Sequence, residues 1–111
     1  MEFTSSLKSN HDFRRVYRKG LSAVKPCLVL YVRHNRLPGS RLGLTVTTKV
    51  GKAHTRNLVR RRLREIYRLH ESSLRPGYDM VVVARTRAAQ VSYKRLESEF
   101  LVACQELGAV L

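Results

Sequence analysis

Apolar residues recur at helical spacing in three stretches of the chain. In residues 9–20 the apolar face is Phe13, Val16 and Tyr17, after a Ser or Asn that can cap the helix and before a Gly that can end it. Residues 55–68 and 92–108 repeat the pattern over longer spans. The predicted core-facing positions of these two helices are Val59, Leu63, Ile66, His70, Tyr93, Leu96, Phe100, Ala103, Cys104 and Leu107. The sequence therefore predicts three amphipathic helices.

Between the helices, residues 27–33, 41–49 and 78–85 show the patterns of β-strands. The second alternates apolar residues with small and polar ones, which predicts an open second face, and the third is almost continuously apolar, which is typical of a central strand. A short additional strand is predicted at 22–25. The order α-β-β-β-α-β-α predicts an α+β fold, a two-layer sandwich of helices on a four-stranded, mostly antiparallel sheet, in a single domain over 1–111.

The charge of the chain narrows the kind of partner it can have. Lys and Arg number 22 against 8 Asp and Glu, and no acidic residue lies between Asp12 and Glu65. Such a field attracts polyanions, although charge alone fits a histone-like or membrane-surface role equally well. No stretch is apolar enough to cross a membrane or to act as a signal peptide, and Cys27 and Cys104 are expected to be reduced, semi-buried residues. We therefore expect a cytoplasmic protein.

The helix over 55–68 concentrates this charge on one side. It contains six arginines and a single glutamate, and at 100° per residue five polar side chains fall on an arc of about 100° away from the apolar stripe. We call this set the arginine arc; its members are Asn57, Arg60, Arg61, Arg64 and Arg68. Guanidinium groups at helical spacing suit phosphate oxygens, which they can contact bidentately, and the alternative is a merely solvated face.

Aromatic residues supply a second candidate site. Phe13 and Tyr17 can be either core packing or platforms for nucleobases, whereas Tyr31 alternates with an apolar strand face and can share the open sheet surface with Thr45 and Thr47. Rings beside hydroxyls and cations are typical of a groove for single-stranded nucleic acid.

No catalytic or metal-binding pattern is apparent in the sequence. The acidic residues are spread thinly, so no pair is suited to holding two metal ions, and the four histidines lack zinc-site spacing. His54, beside the basic helix, is better explained as a residue of the helix start than as a general acid. The sequence thus predicts a binding protein without catalytic side chains.

Four segments resemble the family of protein subunits of bacterial ribonuclease P. They are DFRRVYRKG at 12–20, LVLYVR at 28–33, RLGLTVTTKVGKAHTRNLVRRRLRE at 41–65 and YDMVVVAR at 78–85. The family's Arg-Asn-Arg pattern is matched by Arg56 and Asn57, with Leu58 at its third place. The resemblance implies a left-handed βαβ crossover through the basic helix. It also implies Mg²⁺-dependent removal of the 5′ leader of precursor tRNA by an RNA subunit that this protein binds as a 1:1 monomer.

The resemblance also implies two sets of site residues. The set expected to bind the RNA subunit is Lys49, Lys52, Arg56, Asn57, Arg60, Arg61, Arg62, Arg64 and Arg68. The set expected to line a cleft for the leader is Phe13, Arg14, Tyr17, Tyr31, Thr45 and Thr47. Composition and the arginine arc fit a structural RNA-binding protein of the ribosomal or assembly-factor type equally well, so that alternative stays open on the physics alone.

Overall fold

The structure is a computed structural model, and it describes residues 3–111. The helices and strands alternate along the chain, with 3₁₀ turns at Thr48–Val50, Glu71–Ser73 and Thr86–Ala89. The strands are β1 (Thr4–Ser6), β2 (Leu21–Val24), β3 (Leu28–His34), β4 (Ser40–Thr45) and β5 (Tyr78–Ala84). The helices are α1 (Asn10–Lys19), α2 (Ala53–His70) and α3 (Tyr93–Glu106). All three predicted helices and all four predicted strands are present, but the strand predicted at 41–49 ends at Thr45, and its last two residues belong to the 3₁₀ turn at Thr48–Val50.

The sheet differs from the prediction in having five strands, in the order β1-β4-β5-β3-β2. The additional strand, β1, consists of Thr and two Ser and lacks apolar alternation; it is a strand because it pairs in parallel with β4. β4 and β5 are also parallel neighbours, joined through α2, while the pairs that β3 makes with β5 and β2 are antiparallel. The sheet is thus mixed rather than mostly antiparallel, and the crossover through the basic helix is present.

Helices cover both faces of this sheet, so the two-layer prediction is wrong in that respect. The larger core lies between the sheet and the pair α2 and α3; it takes Leu28, Leu30 and Val32 from β3. A smaller core lies on the other face under α1, where Val16 packs with Leu7 and Val81. Amphipathicity shows which side of a helix is buried, but not which face of a sheet it covers, and this explains the error.

Helix ends follow the sequence closely. The Ser9 hydroxyl accepts a hydrogen bond from the Asp12 N–H, and Ser92 caps α3 through the Arg95 N–H, both at 3.1 Å. Gly108, beyond the end of α3, has φ 69°, the left-handed conformation that glycine adopts without strain. In α2 the buried position near the end is Tyr67 rather than the predicted His70, which is partly exposed and contacts Glu97.

A buried carboxylate fastens α1 to the sheet. Asp79 on β5 is fully buried and accepts hydrogen bonds from Arg41 at 2.7 and 2.9 Å and from the Asn35 amide at 2.9 Å. Arg41 also reaches Asp12 on α1 at 3.4 Å. Burial alone would raise the pKa of the Asp79 carboxyl, but these hydrogen bonds outweigh it and hold the pKa below its ordinary value. Arg41 therefore links the first turn of α1 to the centre of the sheet.

Two further predictions concern the chain as a whole. Cys27 and Cys104 are both free and buried, as expected. Among residues 3–111 no helix combines the length and apolarity that crossing a bilayer requires.

Candidate nucleic-acid interface

The arginine arc occupies the outward side of α2. Arg61 and Arg64 are exposed, and Arg60 is half-buried with its guanidinium donating to the Asn57 side-chain oxygen at 3.2 Å. None of these three arginines forms an ion pair within the described part of the chain. Their charges are therefore available to an external anion.

Three other basic residues of α2 have partners within the protein. Arg56 donates to the Gly51 carbonyl at 2.8 Å, and Arg62 donates to the Val91 carbonyl at 3.4 Å on the side that faces α3. Arg68 is paired with Glu65 through hydrogen bonds of 2.5 and 3.0 Å. The pair of Arg68 with Glu65 follows from helical spacing, but the backbone partners of Arg56 and Arg62 lie outside α2, so helical spacing alone could not identify them.

The start of α2 is also cationic. Lys49 and Lys52 are both exposed, and Lys52 occupies the N-cap position without a side-chain cap on the first turn. Uncapped amide groups at a helix start, with lysines close by, attract phosphate. Leu58, at the place where the family pattern has an arginine, is 42 % exposed and so lies on the surface of the same segment.

The predicted aromatic residues come together above the sheet. The Tyr17 and Tyr31 rings meet edge to face at 4.9 Å, and Phe13 lies 6.4 Å from Tyr17. The hydroxyls of Tyr17 and Thr45 are hydrogen-bonded at 2.9 Å. We call Phe13, Tyr17, Tyr31 and Thr45 the aromatic cleft. Tyr17 is 37 % exposed and Tyr31 half-buried, so both rings can be reached by a ligand.

The closeness of α1 to the sheet depends on Gly43. A Cβ at this position would lie 2.5 Å from Phe13 Cε1 and 2.6 Å from Phe13 Cζ. The ring of Phe13 therefore packs directly on the β4 backbone. The open polar face predicted for this strand is in fact covered at Gly43 and open only further along, at Thr45.

Sequence reasoning missed the apolar floor that extends the aromatic cleft. The floor is one cross-strand row that the register of the sheet brings together; its members are Thr45 on β4, Val83 on β5, Val29 on β3 and Val24 on β2. Val83 and Val29 are partly exposed, and Val24 is 63 % exposed. The signal was present in the alternation of Val29 with Tyr31, but the cross-strand register that completes the row is a property of the folded sheet.

A small cavity connects the aromatic cleft to the arginine arc. It has a volume of about 180 Å³, and its lining includes Phe13 and Gly43 together with Arg60 and Arg64. The aromatic cleft and the arginine arc are about 45 residues apart along the chain, yet both contribute residues to the lining of this cavity. A chain lying on the rings would have guanidinium groups beside its phosphates.

Two predicted cleft residues lie away from the rings. Arg14 is exposed and belongs to the outer face of α1, where it lines a cavity with His11, Arg15, Arg18 and Lys19. Thr47 is exposed beyond the end of β4. Both can reach a ligand that extends past the cleft.

The acidic residues of the described part serve the fold. Asp12 and Asp79 contact Arg41, and Glu65, Glu97, Glu99 and Glu106 each pair with a basic residue. Glu71 accepts a hydrogen bond from the Phe3 N–H at 3.2 Å. Residues 3–111 contain no group of three His, Cys, Asp or Glu side chains able to hold a metal ion. The Mg²⁺ that the family resemblance implies would act with the RNA subunit, and we assign no step on this chain to it.

Comparison with known proteins gives one consistent result. The family model described as Ribonuclease P matches residues 1–108. The ribonuclease P protein components of Natranaerobius thermophilus and Clostridioides difficile are 44% and 43% identical over 96 and 95 residues. These matches span 86% and 85% of this chain and 84% and 83% of theirs.

Solved structures agree with the sequence relatives. The RNase P protein of Staphylococcus aureus superposes with a TM-score of 0.88 at 29% identity, covering 96% of this chain and 97% of that one. The RNase P protein of Thermotoga maritima gives a TM-score of 0.80 at 30% identity, covering 88% and 93%.

Proposed function

The chain belongs to the ribonuclease P protein family, as the protein component of that endoribonuclease, and we propose that it divides its binding between two adjacent surfaces. The arginine arc and the basic start of α2 hold the RNA subunit through phosphates. The aromatic cleft holds the single-stranded 5′ leader of precursor tRNA. The observation that carries this division is the shared cavity, which Arg60 and Arg64 line together with Phe13 and Gly43.

The chemistry of each surface suits its proposed ligand. Unpaired guanidinium groups contact phosphate oxygens in any sequence, so the arc positions the protein and contributes little sequence preference. The Tyr17 and Tyr31 rings and the valine floor beside them offer stacking and apolar contact to unpaired bases, which only a single strand exposes.

We assign hydrolysis to the RNA subunit, which the family implies is Mg²⁺-dependent. The protein then contributes by holding the leader in one orientation beside the RNA, which lowers the entropic cost of bringing the scissile bond into place. We propose a 1:1 assembly of one protein with one RNA subunit in the bacterial cytoplasm. The structural RNA-binding alternative is not favoured, because the family match extends over 108 of the 111 residues.

Single substitutions can separate the two surfaces. In Tyr31→Ala we expect precursor tRNA to bind the holoenzyme about 5- to 100-fold more weakly, since stacking contributes about 1–3 kcal/mol per base. Mature tRNA, which lacks a leader, should bind as before. In Arg61→Ala we expect weaker assembly with the RNA subunit and a salt slope reduced by about 0.7–0.9, the value of one phosphate contact.

The measurements are equilibrium binding of precursor and mature tRNA to the holoenzyme, and of RNA subunit to protein, at several salt concentrations. Each variant is the control for the other, because Tyr31→Ala should leave assembly unchanged and Arg61→Ala should leave the preference for precursor over mature tRNA unchanged. A thermal melt of each variant verifies that it is folded. If folded Tyr31→Ala binds precursor and mature tRNA with equally reduced affinity, the leader assignment is wrong. If Arg61→Ala assembles with an unchanged salt slope, the arc does not contact phosphate.

A further inference from the structure

A second basic recess lies at the other end of β3. Its volume is about 590 Å³, and its walls combine cations, two rings and an apolar base. We call this cavity the second recess; its lining includes Lys19, Leu21, Arg33, His34, Arg36 and Tyr78. None of these residues belongs to the arginine arc, the basic start of α2 or the aromatic cleft.

The rings of the second recess form a pair. The centroids of His34 and Tyr78 are 4.9 Å apart with their planes inclined by 54°, and the two residues face each other in the β3–β5 register. His34 is exposed, and Leu21, which also lines the recess, is 64 % exposed. An accessible ring beside an exposed leucine offers a face on which one unpaired base can stack.

The cations of the recess have no acidic partner. Lys19, Arg33 and Arg36 form no ion pair within residues 3–111, and no Asp or Glu lines the recess. The carboxylate opposite Arg33 in the strand register is Asp79, which is buried and already neutralised by Arg41. The recess therefore presents a positive field around its rings.

The turn that carries Arg36 is held in a strained form. Arg36 has φ 60°, the only non-glycine residue of the described chain in the left-handed region. The Asn35 side chain maintains the turn by accepting from the Leu37 N–H at 2.8 Å and donating to the Gly39 carbonyl at 3.1 Å. Residues held in this sparsely populated backbone region by their surroundings cluster at functional sites.

The second recess is separate from the aromatic cleft. α1 crosses the sheet over Gly43 and Val81. Towards one end of these strands Tyr17 is hydrogen-bonded to Thr45, and towards the other end Asp12 contacts Arg41. Arg33 alternates with His34 along β3, so Arg33 lies on the α1 face of the sheet, whereas His34 and Tyr78 lie on the face that α2 and α3 cover. The second recess therefore extends around the end of β3. Lys19 also lines the basic outer cavity of α1, so a positive surface continues from the recess over that helix.

We propose that the second recess is a distinct binding site for single-stranded RNA. One unpaired base stacks on His34 and Tyr78, and the flanking phosphates contact Lys19 and Arg36, with Arg33 reached as the RNA passes around the end of β3 onto the α1 face. The strand then continues across the outer face of α1. Single-stranded RNA fits better than duplex, whose bases are stacked on each other and leave no face for the rings. The site is independent of the leader cleft, since the two share no residue.

The test uses full-length protein that carries Tyr31→Ala, so that the aromatic cleft contributes little. Fluorescence anisotropy of a labelled oligouridylate measures its affinity at several salt concentrations, with an RNA duplex of equal length as comparison. His34→Ala should weaken oligouridylate binding about 5- to 100-fold. Arg36→Gly should weaken it and reduce the salt slope by about 0.7, while the melting temperature stays level or rises, because glycine adopts φ 60° without strain.

Lys94→Ala is the matched control for charge. Lys94 is exposed in the first turn of α3, about 20 Å along that helix from the end that lines the recess, and it should change the affinity far less than Arg36→Gly. The proposal is overturned if His34→Ala and Arg36→Gly bind oligouridylate as tightly as their parent. It is equally overturned if Lys94→Ala has the same effect as Arg36→Gly, or if the duplex loses as much affinity as the single strand in His34→Ala.

Discussion

Replacing Gly43 with alanine tests whether the aromatic cleft depends on the close contact between α1 and β4. The new methyl group would lie 2.5 and 2.6 Å from two carbons of the Phe13 ring and 3.3 Å from Leu7 Cδ1. Carbon atoms in contact rest about 3.5–4.0 Å apart, so the ring must move by about 1 Å or more. Leu7 and Val16 are buried beside it, which leaves the open side of the cleft as the direction of movement.

Two effects should follow from this displacement. Overpacking of a small core costs about 1–3 kcal/mol, which for a chain of this size lowers the melting temperature by roughly 4 °C or more for each kcal/mol. Because Phe13 and Tyr17 belong to the same helix, the rings also lose their alignment. We expect precursor tRNA to bind the holoenzyme about fivefold more weakly, with mature tRNA and the RNA subunit bound as before.

A double variant separates packing from recognition. Gly43→Ala combined with Phe13→Leu removes the ring that the methyl group strikes, so the melting temperature should recover in part. The preference for precursor over mature tRNA should stay low, since the ring itself is missing. If Gly43→Ala alone leaves both quantities unchanged, Phe13 is not held against β4. If the double variant recovers the preference for precursor as well, Phe13 contributes by packing alone.

Three further predictions concern stability and affinity. Arg41→Met should cost about 3 kcal/mol in urea denaturation, because it leaves the buried Asp79 carboxylate without its charged partner; an unchanged midpoint would contradict this. Asp79 and Glu99 both have pKa values held below the ordinary 3.8 and 4.5, so the stability they contribute should be fully present at neutral pH. It should be lost as the pH falls below about 4, and Asp79→Asn should flatten that loss in denaturation at a series of pH values. Leu58→Arg should tighten assembly with the RNA subunit and steepen the salt slope of that assembly by about 0.7–0.9, because it adds one phosphate contact at an exposed position. The melting temperature should stay the same, since a change would indicate altered packing.

The elements that the sequence predicts well are those with their own periodicity. α2 and α3 carry apolar stripes, and β5 is a continuous apolar run, so local pattern is sufficient to identify them. β1 has no such pattern: Thr4–Ser6 is a strand only because β4 offers it an edge. β1 also accounts for part of the burial of Tyr67, which the helical stripe did not indicate: the hydroxyls of Tyr67 and Thr4 are hydrogen-bonded at 2.8 Å.

The candidate site divides in the same way. Helical spacing alone grouped Arg61 and Arg64 on one arc, whereas alternation left open whether Tyr31 and Thr45 share a sheet face, and the strand register shows that they do. The distinction between unpaired and internally bonded arginines required remote partners, such as the Val91 carbonyl for Arg62. The second recess could not be predicted either, because it joins the end of α1, the β3–β4 turn and the end of α3.

The distribution of charge explains why a chain so rich in arginine can still fold. Its acidic side chains are used where the fold needs them: at Asp79 in the sheet, and at Glu99, which accepts from the Cys27 N–H at 2.8 Å and pairs with Arg95. The cations left unpaired lie on surfaces, where water and salt reduce their mutual repulsion to a few tenths of a kcal/mol per pair. The phosphate backbone of a bound RNA neutralises these cations, which removes their repulsion, and the RNA releases its own counterions at the same time. The arginine arc is therefore a small cost to the free protein that becomes a source of affinity once RNA lies against it.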